Sequence, residues 1–219
     1  MTVELSVVIP TRGEEAYLDL LLSALQHEAT TTPMEVIVVD DPRKPSSSAQ
    51  AFREVGAEFD GNGSRLRYVE QSTPGGKAGA LNQGAQDASS ETLMFMDADV
   101  LPEPRLIEEA LRLSHECDVV SVLRRHTKLG WSILGEWLIR PLSFVTPWCC
   151  LMARSDLAKY GWWRNDYVED VEFWLRARNQ GCVVRFPERR VILRRRVREE
   201  YRKSVHALKH LMGTLHTRP

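Results

Sequence analysis

Short apolar runs alternate along the chain with segments whose apolar residues recur at helical spacing. Strands are predicted over Leu5–Pro10, Glu35–Asp40, Leu66–Val69, Thr92–Met96 and Val119–Leu123. Helices are predicted between them, over Leu18–Leu25, near Ala49–Val55, over Ala78–Ala85 and over Arg105–His115. Strands and helices in alternation indicate an α/β fold, in which a mostly parallel central sheet is covered by helices on both faces.

The pattern changes after Leu123. Residues 129–153 are rich in Trp, Leu and Ile but contain charges and prolines, so we expect an irregular apolar segment that ends in a strand near Trp148–Ala153. A helix is predicted over Glu169–Gln180, a short strand over Val183–Phe186 and a basic helix from about Val197 to Met212. These elements predict one domain over residues 1–190 and a basic helical tail over residues 191–219.

Composition supports a globular domain and excludes several protein classes. The chain has 219 residues, of which 43% are hydrophobic and 27% charged, so its composition is not that of a disordered protein. We expect neither a signal peptide at the N-terminus nor a transmembrane helix, because no apolar stretch is long enough. The four cysteines have no metal-ligand spacing, and we interpret them as reduced, mostly buried thiols of a cytoplasmic protein.

The net charge of −1 hides an uneven distribution. Residues 185–219 contain eleven basic and three acidic residues and carry +8, whereas the rest of the chain carries −9. A nucleic-acid-binding protein usually spreads positive charge over a face, so we expect no nucleic-acid partner. An acidic body is suited to a cation site, and the basic tail suggests an anionic partner such as a lipid surface.

Polar residues directly follow three of the predicted strands. Pro10 and Thr11 end the first strand, Asp40 and Asp41 the second, and the Asp97-Ala98-Asp99 sequence follows the strand at Thr92–Met96. In open parallel sheets, ligands bind at the carboxyl ends of the strands. Carboxylates collected there repel one another unless a cation lies between them, and an Asp-x-Asp turn offers the hard oxygen ligands that Mg²⁺ and Mn²⁺ prefer.

Two further segments contain candidate functional residues. The glycine-rich segment 74–84 includes Lys77 and Asn82 at the start of a predicted helix, where backbone and positive charge can approach an anion. It is not a Walker A loop, because Ala78 follows the Gly-Lys pair, and no dinucleotide-binding glycine pattern follows the first strand. Glu169 and Asp170 begin another helix, where acidic residues are also common for electrostatic reasons alone.

These segments in this order resemble the family-2 glycosyltransferases of GT-A fold. The motifs that carry the resemblance are SVVIPTRGEE, EVIVVDD, GGKAGALNQG, FMDADV and VEDVEFWLRARNQG, and it covers about residues 4–186. The resemblance implies a Rossmann-like domain with a nucleotide-binding half at residues 1–123 and an acceptor-binding half at residues 124–190. It also implies transfer of a sugar from a nucleoside-diphosphate sugar, most often a UDP-sugar, with inversion at the anomeric carbon.

The resemblance further assigns roles to individual residues. Residues that would bind the nucleotide are Pro10, Thr11, Asp40, Asp41, Lys77, Asn82 and Asp97. Asp97 and Asp99 would be the family's Asp-x-Asp that holds Mg²⁺ or Mn²⁺, with Asp99 as the direct ligand. Asp170 would be the general base and Glu169 its neighbour near the acceptor, while Arg176 matches a family arginine for which we predict no role.

The acceptor is open on the sequence alone, and a sugar, a lipid phosphate, a peptide or a small metabolite all fit. Five tryptophans could stack on an acceptor sugar or touch lipid, and the competing interpretation is that most are core residues: Trp131, Trp137, Trp148, Trp162 and Trp163. The pair Trp162-Trp163, shortly before Glu169, is the better acceptor candidate. The basic tail could bring a cytoplasmic enzyme to the inner face of a membrane as a peripheral protein, or it could be a solvated helix face.

Three other functions are weighed against the transferase. A sugar-phosphate nucleotidyltransferase needs a glycine-rich basic loop directly after the first strand, and the sequence there has one glycine and two acids. A receiver domain needs its acid pair after the first strand, whereas Asp40 and Asp41 follow the second. A non-catalytic module that binds a nucleotide sugar or a membrane is disfavoured by the presence of Asp97, Asp99 and Asp170.

Overall fold

A computed structural model describes residues 3–12, 15–41, 59, 63–72, 75–125, 148–165 and 169–193. Ten strands and five helices are assigned in these ranges. The strands are β1 (Leu5–Thr11), β2 (Met34–Asp40), β3 (Arg65–Glu70), β4 (Thr92–Met96), β5 (Val100–Pro102), β6 (Val119–Ser121), β7 (Arg124–Arg125), β8 (Cys149–Ala153), β9 (Val184–Arg185) and β10 (Val191–Leu193). The helices are α1 (Glu15–Ala29), α2 (Gly76–Asp87), α3 (Leu106–Ser114), α4 (Arg154–Tyr160) and α5 (Glu169–Asn179).

Seven of these strands form the central sheet in the order β3-β2-β1-β4-β8-β6-β9. All neighbouring pairs are parallel except those made by β8, which runs antiparallel to both β4 and β6. The carboxyl ends of β1, β2, β3 and β4 therefore meet at one edge of the sheet. This confirms the predicted fold class, a mostly parallel sheet of Rossmann type.

Helices cover the sheet on both faces, as its buried strands require. Side chains of α1 and α3 pack with Val7, Val36 and Met94 on one face. Side chains of α2, α4 and α5 pack with Val8, Ile37 and Phe95 on the other face. Because consecutive residues of a strand point to opposite faces, strands covered on both sides are continuous apolar runs, which is how the sequence predicted them.

A buried carboxylate fixes the register of the first three strands at the edge opposite their carboxyl ends. The Glu35 side chain is fully buried and accepts hydrogen bonds from the Ser6 hydroxyl, the Ser89 backbone and Arg65, each at 2.8–2.9 Å. Burial raises the pKa of Glu35, but the hydrogen bonds from Ser89, Ser6 and Arg67 outweigh it and lower the pKa to about 2. Ser6, Glu35 and Arg65 lie in register across β1, β2 and β3.

A second, three-stranded sheet has the order β5-β10-β7 and was not predicted from the sequence. β5 begins one residue after Asp99, and β10 pairs with it antiparallel. These strands have two or three residues each, too few to show a period of two. Residues 191–193, which the sequence analysis assigned to the tail, form β10 and thereby pair with the segment that follows the Asp-x-Asp turn.

Other sequence predictions differ in detail or cannot be compared. α4 was not predicted, because its seven residues contain only two buried apolar side chains, Leu157 and Tyr160. The helix predicted near Ala49–Val55 and the basic helix from Val197 to Met212 lie outside the described residues. No disulfide forms; Cys149 and Cys150 are buried and Cys117 and Cys182 half-buried. Across the described ranges, no helix has the length and apolar character that crossing a membrane needs.

Candidate functional site

The carboxyl ends of β1 and β2 bring three predicted polar residues together. Thr11, Asp40 and Asp41 are all buried, and the Asp41 backbone N–H donates to the carbonyl oxygen of Thr11 at 3.0 Å. Tyr68 of β3 donates its hydroxyl to Asp40 Oδ2 at 2.6 Å, and the exposed Arg12 guanidinium lies 3.9 Å from Asp41 Oδ2. The predicted residue Pro10 is half-buried one position before the end of β1. The carboxyl ends of these strands thus form a polar cluster that contains two buried carboxylates.

Gln71 is a residue of this edge that the sequence analysis missed. It follows β3 directly, its backbone N–H donates to the Asp40 carbonyl at 2.9 Å, and its Nε2 donates to the Gly76 carbonyl at 3.2 Å. Oε1 of Gln71 and Oγ1 of Thr11 are buried, with no hydrogen-bond partner among the described residues. Buried polar atoms normally find a partner, so both atoms are suited to a polar ligand at the strand ends.

Lys77, in the first turn of α2, joins the Asp-x-Asp turn to α5. Its Nζ lies 2.7 Å from Asp97 Oδ1 and 3.5 Å from Glu169 Oε1. Burial lowers the pKa of Lys77, but Asp97 and Glu169 outweigh that effect and raise it, so the ammonium is charged at neutral pH. A single cation therefore lies between carboxylates that are 72 residues apart in the sequence.

Asp170 lies at the N-terminus of α5 and is buried, with 8% of its surface exposed. Burial and the neighbouring charge of Glu169 raise the pKa of Asp170 to about 6. Lys77 and the N–H groups of the first turn of α5 act in the opposite direction. A carboxyl group with this pKa is ionised at neutral pH and binds a proton more readily than an ordinary aspartate, which is what a general base requires.

Asp97 and Asp99 are suited to a divalent cation by the chemistry of their donor atoms. Both are half-buried and stand on either side of the buried Ala98, between β4 and β5. Their carboxylate oxygens are hard ligands of the kind that Mg²⁺ and Mn²⁺ take, and such ions commonly complete their coordination with phosphate oxygens and water. Among the described residues no group of three or more His, Cys, Asp or Glu side chains forms a self-sufficient metal cage. The residues fit a metal that a phosphate ligand helps to bind.

Asn82 occupies its predicted helix, but its side chain is committed to protein contacts. Its Nδ2 donates to the Trp163 carbonyl at 2.7 Å, and the Trp163 N–H donates to its Oδ1 at 3.0 Å. Asn82 therefore anchors the chain that precedes α5. Its amide nitrogen and its amide oxygen each have a backbone partner on Trp163.

The tryptophans predicted as acceptor candidates lie in the core or packed against it, where the structure describes them. Trp163 is 4% exposed and its ring stacks on Phe173, with centroids 4.4 Å apart, so the structure favours the core interpretation for this residue. Trp162 is half-buried and packs at the border of the same apolar cluster. Trp131 and Trp137, within the apolar segment 129–153, lie outside the described residues.

Arg176, for which no role was predicted, binds backbone carbonyl groups. Its guanidinium donates to the carbonyl oxygens of Tyr160, Gly161 and Trp162 and to both carboxylate oxygens of Glu172. The side chain is 15% exposed. The contacts join α5 to the loop that leads away from α4.

Curated relatives resemble the chain over about half of its length. A validoxylamine A glucosyltransferase of Streptomyces hygroscopicus subsp. limoneus is 38% identical over 110 residues, which cover 49% of this chain and 23% of the relative. A dolichol-phosphate mannosyltransferase of Pyrococcus furiosus is 24% identical over 127 residues, which cover 58% of this chain and 34% of that protein. The chain thus spans about a quarter to a third of the length of these relatives.

Solved structures share the fold over most of the chain. The mannosyltransferase PcManGT of Pyrobaculum calidifontis, solved in complex with GDP-Man and Mn²⁺, superposes with a TM-score of 0.75 at 20% identity, covering all of this chain and 66% of that one. Glucosyl-3-phosphoglycerate synthase of Mycobacterium tuberculosis, solved with Mn²⁺, UDP and phosphoglyceric acid, superposes with a TM-score of 0.67 at 16% identity, covering 91% and 73%. At these identities the likeness shows the fold.

The family model for glycosyl transferase family 2 matches residues 6–137, which include the strand-end acids, Lys77 and the Asp-x-Asp turn. The matched segment is more than half of the chain. The fold of the described residues and the order of their motifs agree with the match. The chain therefore belongs to glycosyl transferase family 2.

Proposed function

We propose that this protein is a glycosyltransferase that moves a sugar from a nucleoside-diphosphate sugar to an acceptor hydroxyl or phosphate. The observation that carries the proposal is the position of Lys77 between Asp97 and Glu169. It brings the first turn of α2, the Asp-x-Asp turn and the carboxylates of α5 into one polar site at the carboxyl edge of the sheet. Membership of glycosyl transferase family 2 supports the same reaction.

The nucleoside would lie over the ends of β1, β2 and β3. Thr11, Asp41 and Gln71 offer buried polar atoms there, and two of these atoms have no protein partner among the described residues. The diphosphate would extend toward Lys77, whose ammonium can accompany its negative charge. We infer UDP as the nucleotide from the family resemblance, and GDP is the alternative to test, because structural neighbours were solved with each.

Asp97 and Asp99 would hold the divalent ion, with Asp99 as the direct ligand that the family resemblance implies, while Asp97 lies 2.7 Å from the Lys77 ammonium. An ion bound there would neutralise the negative charge that grows on the departing diphosphate. Lys77 adds a second positive charge on the same side of the site. The preorganised charges stabilise the leaving group without having to move during the reaction.

Asp170 would accept the proton of the acceptor hydroxyl as that oxygen attacks the anomeric carbon. Attack from the face opposite the leaving diphosphate inverts the configuration of that carbon. Proton transfer of this kind contributes on the order of 10²–10⁴ in rate. Glu169 holds Lys77 close to the base, since its Oε1 lies 3.5 Å from the ammonium.

Separating binding from chemistry tests the proposal. UDP-glucose, UDP-GlcNAc and GDP-mannose serve as donors, with water, validoxylamine A and a polyprenyl phosphate as acceptors, and release of UDP or GDP is measured. Asp170→Asn is expected to lower release by at least about 100-fold while UDP or GDP binds with unchanged affinity. The matched control is Asp87→Asn at the exposed end of α2. Equal loss of nucleotide binding in Asp170→Asn would assign this residue to the donor site instead.

A further inference from the structure

Residues 161–165, which directly follow α4, are held by side chains of two different helices. We call residues 161–165 the strap. Arg176 of α5 contacts its beginning, and Asn82 of α2 contacts Trp163 at its middle. The strap thus touches the helix that carries Lys77 and the helix that carries Asp170.

All five donors of the Arg176 guanidinium are used, two on Glu172 of α5 and three on backbone carbonyls at the end of α4 and the beginning of the strap. Nε and one N–H of NH2 donate to the two carboxylate oxygens of Glu172, each at 2.8 Å. NH1 donates to the carbonyls of Tyr160 and Gly161, and the second N–H of NH2 donates to the Trp162 carbonyl at 3.1 Å. A guanidinium has five N–H donors, so none remains for a substrate phosphate. Arg176 therefore acts on the position of the backbone.

The contact at the middle of the strap is equally specific. The amide of Asn82 both donates to and accepts from the backbone of Trp163, at 2.7 and 3.0 Å. The Trp163 ring is stacked on Phe173 of α5 and meets the edge of Phe95 of β4, with centroids 5.4 Å apart in the second pair. Trp163 is thus fixed by its backbone to α2 and by its ring to α5 and the sheet.

The strap joins the two groups that must be aligned for the proposed reaction. Lys77 lies five residues before Asn82 on α2, and Glu169 and Asp170 lie seven and six residues before Arg176 on α5. The distance between these helices at the site is set by contacts such as the 3.5 Å pair of Lys77 and Glu169, which spans two partly exposed side chains. Such a pair is weak by itself. Rigid backbone contacts behind it can hold the alignment more firmly.

We propose that Arg176 and Asn82 are positioning residues for catalysis: through the strap they hold the carboxylates of α5 in register with Lys77 and the bound donor. The inference rests on the proposed transferase function. Neither residue needs to touch substrate. Loss of either anchor would remove none of the reacting groups but would displace Asp170. A displacement of about 1 Å can lower the rate about 100-fold.

The test compares Arg176→Lys and Asn82→Leu with matched controls on the same helices. Lysine keeps the charge at position 176 but cannot make the fork of five hydrogen bonds. The controls are Arg178→Lys on α5, whose guanidinium lies 5.5 Å from the Trp174 ring, and Gln86→Leu at an exposed position of α2. Turnover of the donors named above and binding of UDP and GDP are measured at a fixed interval below the Tm of each variant.

The expected result is a fall in kcat of about 100-fold for Arg176→Lys and for Asn82→Leu, with the Kd of UDP or GDP changed less than about threefold. The kcat of the double variant is expected to lie within about threefold of the kcat of the slower single variant, because either loss releases the same strap. Added ethylguanidinium should restore part of the kcat of Arg176→Ala, and ammonium at equal concentration should not. A lowered Tm with unchanged kcat would overturn the proposal.

A second measurement decides the question even if none of these donors is turned over. Hydrogen–deuterium exchange is followed in wild type and in Arg176→Lys for peptides covering the strap, residues 169–172, and α3 as internal reference. The proposal expects faster exchange in both the strap and residues 169–172, with α3 unchanged. Unchanged exchange at residues 169–172 would overturn it. Absence of any donor turnover by the wild type would instead contradict the proposed function.

Discussion

The carbonyl oxygen of Gly161 lies 2.7 Å from the NH1 nitrogen of Arg176, so the guanidinium rests directly against a residue that has no side chain. Gly161 also has a φ of +87° and ends α4. Two separate demands therefore coincide at one position: a backbone conformation that favours glycine, and close approach by Arg176.

Gly161→Ala is expected to be more destabilising than Gly181→Ala. Gly181 has a similar φ of +78° after α5, but a Cβ there would meet nothing within 4 Å. Left-handed helical backbone costs an L-residue about 1–2 kcal/mol, and Gly161, with a ψ of 142°, lies outside that region in backbone space that is nearly restricted to glycine. Only Gly161→Ala also displaces Arg176. Urea unfolding of the two variants measures the difference. Equal losses of stability would show that the contact with Arg176 contributes little.

The pH dependence of turnover is predicted to follow Asp170. With a pKa of about 6, the carboxylate is protonated at lower pH and cannot act as a base, so the rate should rise through about pH 6 and level off above it. Release of UDP or GDP measured between pH 5 and 8.5 gives the profile. A rate that is flat across pH 6 would exclude Asp170 as the base.

The same raised pKa predicts an effect on stability with a definite sign. The folded state holds the Asp170 proton more tightly than the unfolded state, whose pKa is near 3.8, so stability is fully present below about pH 3.8 and is lost as the pH rises through about 6. Asp170→Asn should therefore be more stable than wild type by about 1–3 kcal/mol at pH 8 and equally stable at pH 4. Unfolding in urea at both pH values checks this, and a variant less stable at pH 8 would contradict it.

Replacement of Lys77 should move the pH profile upward. The positive charge lowers the pKa of Asp170, so Lys77→Met is expected to shift the midpoint of the rate profile above that of wild type. It should also weaken binding of UDP or GDP by about tenfold, through loss of a charge near the diphosphate. Lys159→Met, at a half-exposed position of α4, is the control. An unchanged midpoint would show that the charge of Lys77 does not affect the pKa of Asp170.

Glu35 is predicted to stabilise the fold without contributing to the site. Its pKa is lowered from 4.5 to about 2, so its contribution is present above about pH 4.5 and is lost as the pH falls toward 2. Glu35→Gln should cost about 2–3 kcal/mol at pH 7, and the difference from wild type should narrow below pH 4.5. Glu108→Gln, which breaks an exposed pair with Arg105, should show no measurable loss. A constant difference from pH 7 to pH 3 would contradict the assignment.

The inner strands of the central sheet could be predicted because they are buried on both faces, whereas the edge strand β3 is only partly buried. Strands buried on both faces are continuous apolar runs, and the predicted bounds of the strand at Thr92–Met96 agree with the structure to the residue. The second sheet could not be predicted, because β5, β7 and β10 are too short to carry a period and depend on long-range pairing. The antiparallel direction of β8 also depends on the path of the chain rather than on local sequence.

Candidate site residues could be predicted from the sequence where they are carboxylates at strand ends or helix starts. They could not be predicted where a side chain acts by contacting backbone groups. Asp40, Asp41, Asp97 and Asp170 stand out in the sequence because carboxylates next to buried strands or at a helix start are conspicuous. The nucleotide contact predicted for Asn82 stays a prediction, and a sequence cannot show that the Asn82 amide also pairs with the backbone of Trp163. Gln71 and Arg176 were missed in their roles, since their partners are carbonyl groups, which every residue has.

The most direct test of the whole account is binding of UDP and GDP, with and without Mn²⁺, to wild type and to Asp99→Ala. Thermal unfolding is a suitable readout, because a ligand at 100 times its Kd adds about 2.7 kcal/mol to stability. The account predicts stabilisation by at least one of the two diphosphates that requires Mn²⁺ and is absent in Asp99→Ala. Stabilisation by neither diphosphate, or stabilisation that is unchanged in Asp99→Ala, would contradict a metal-assisted donor site at the strand ends.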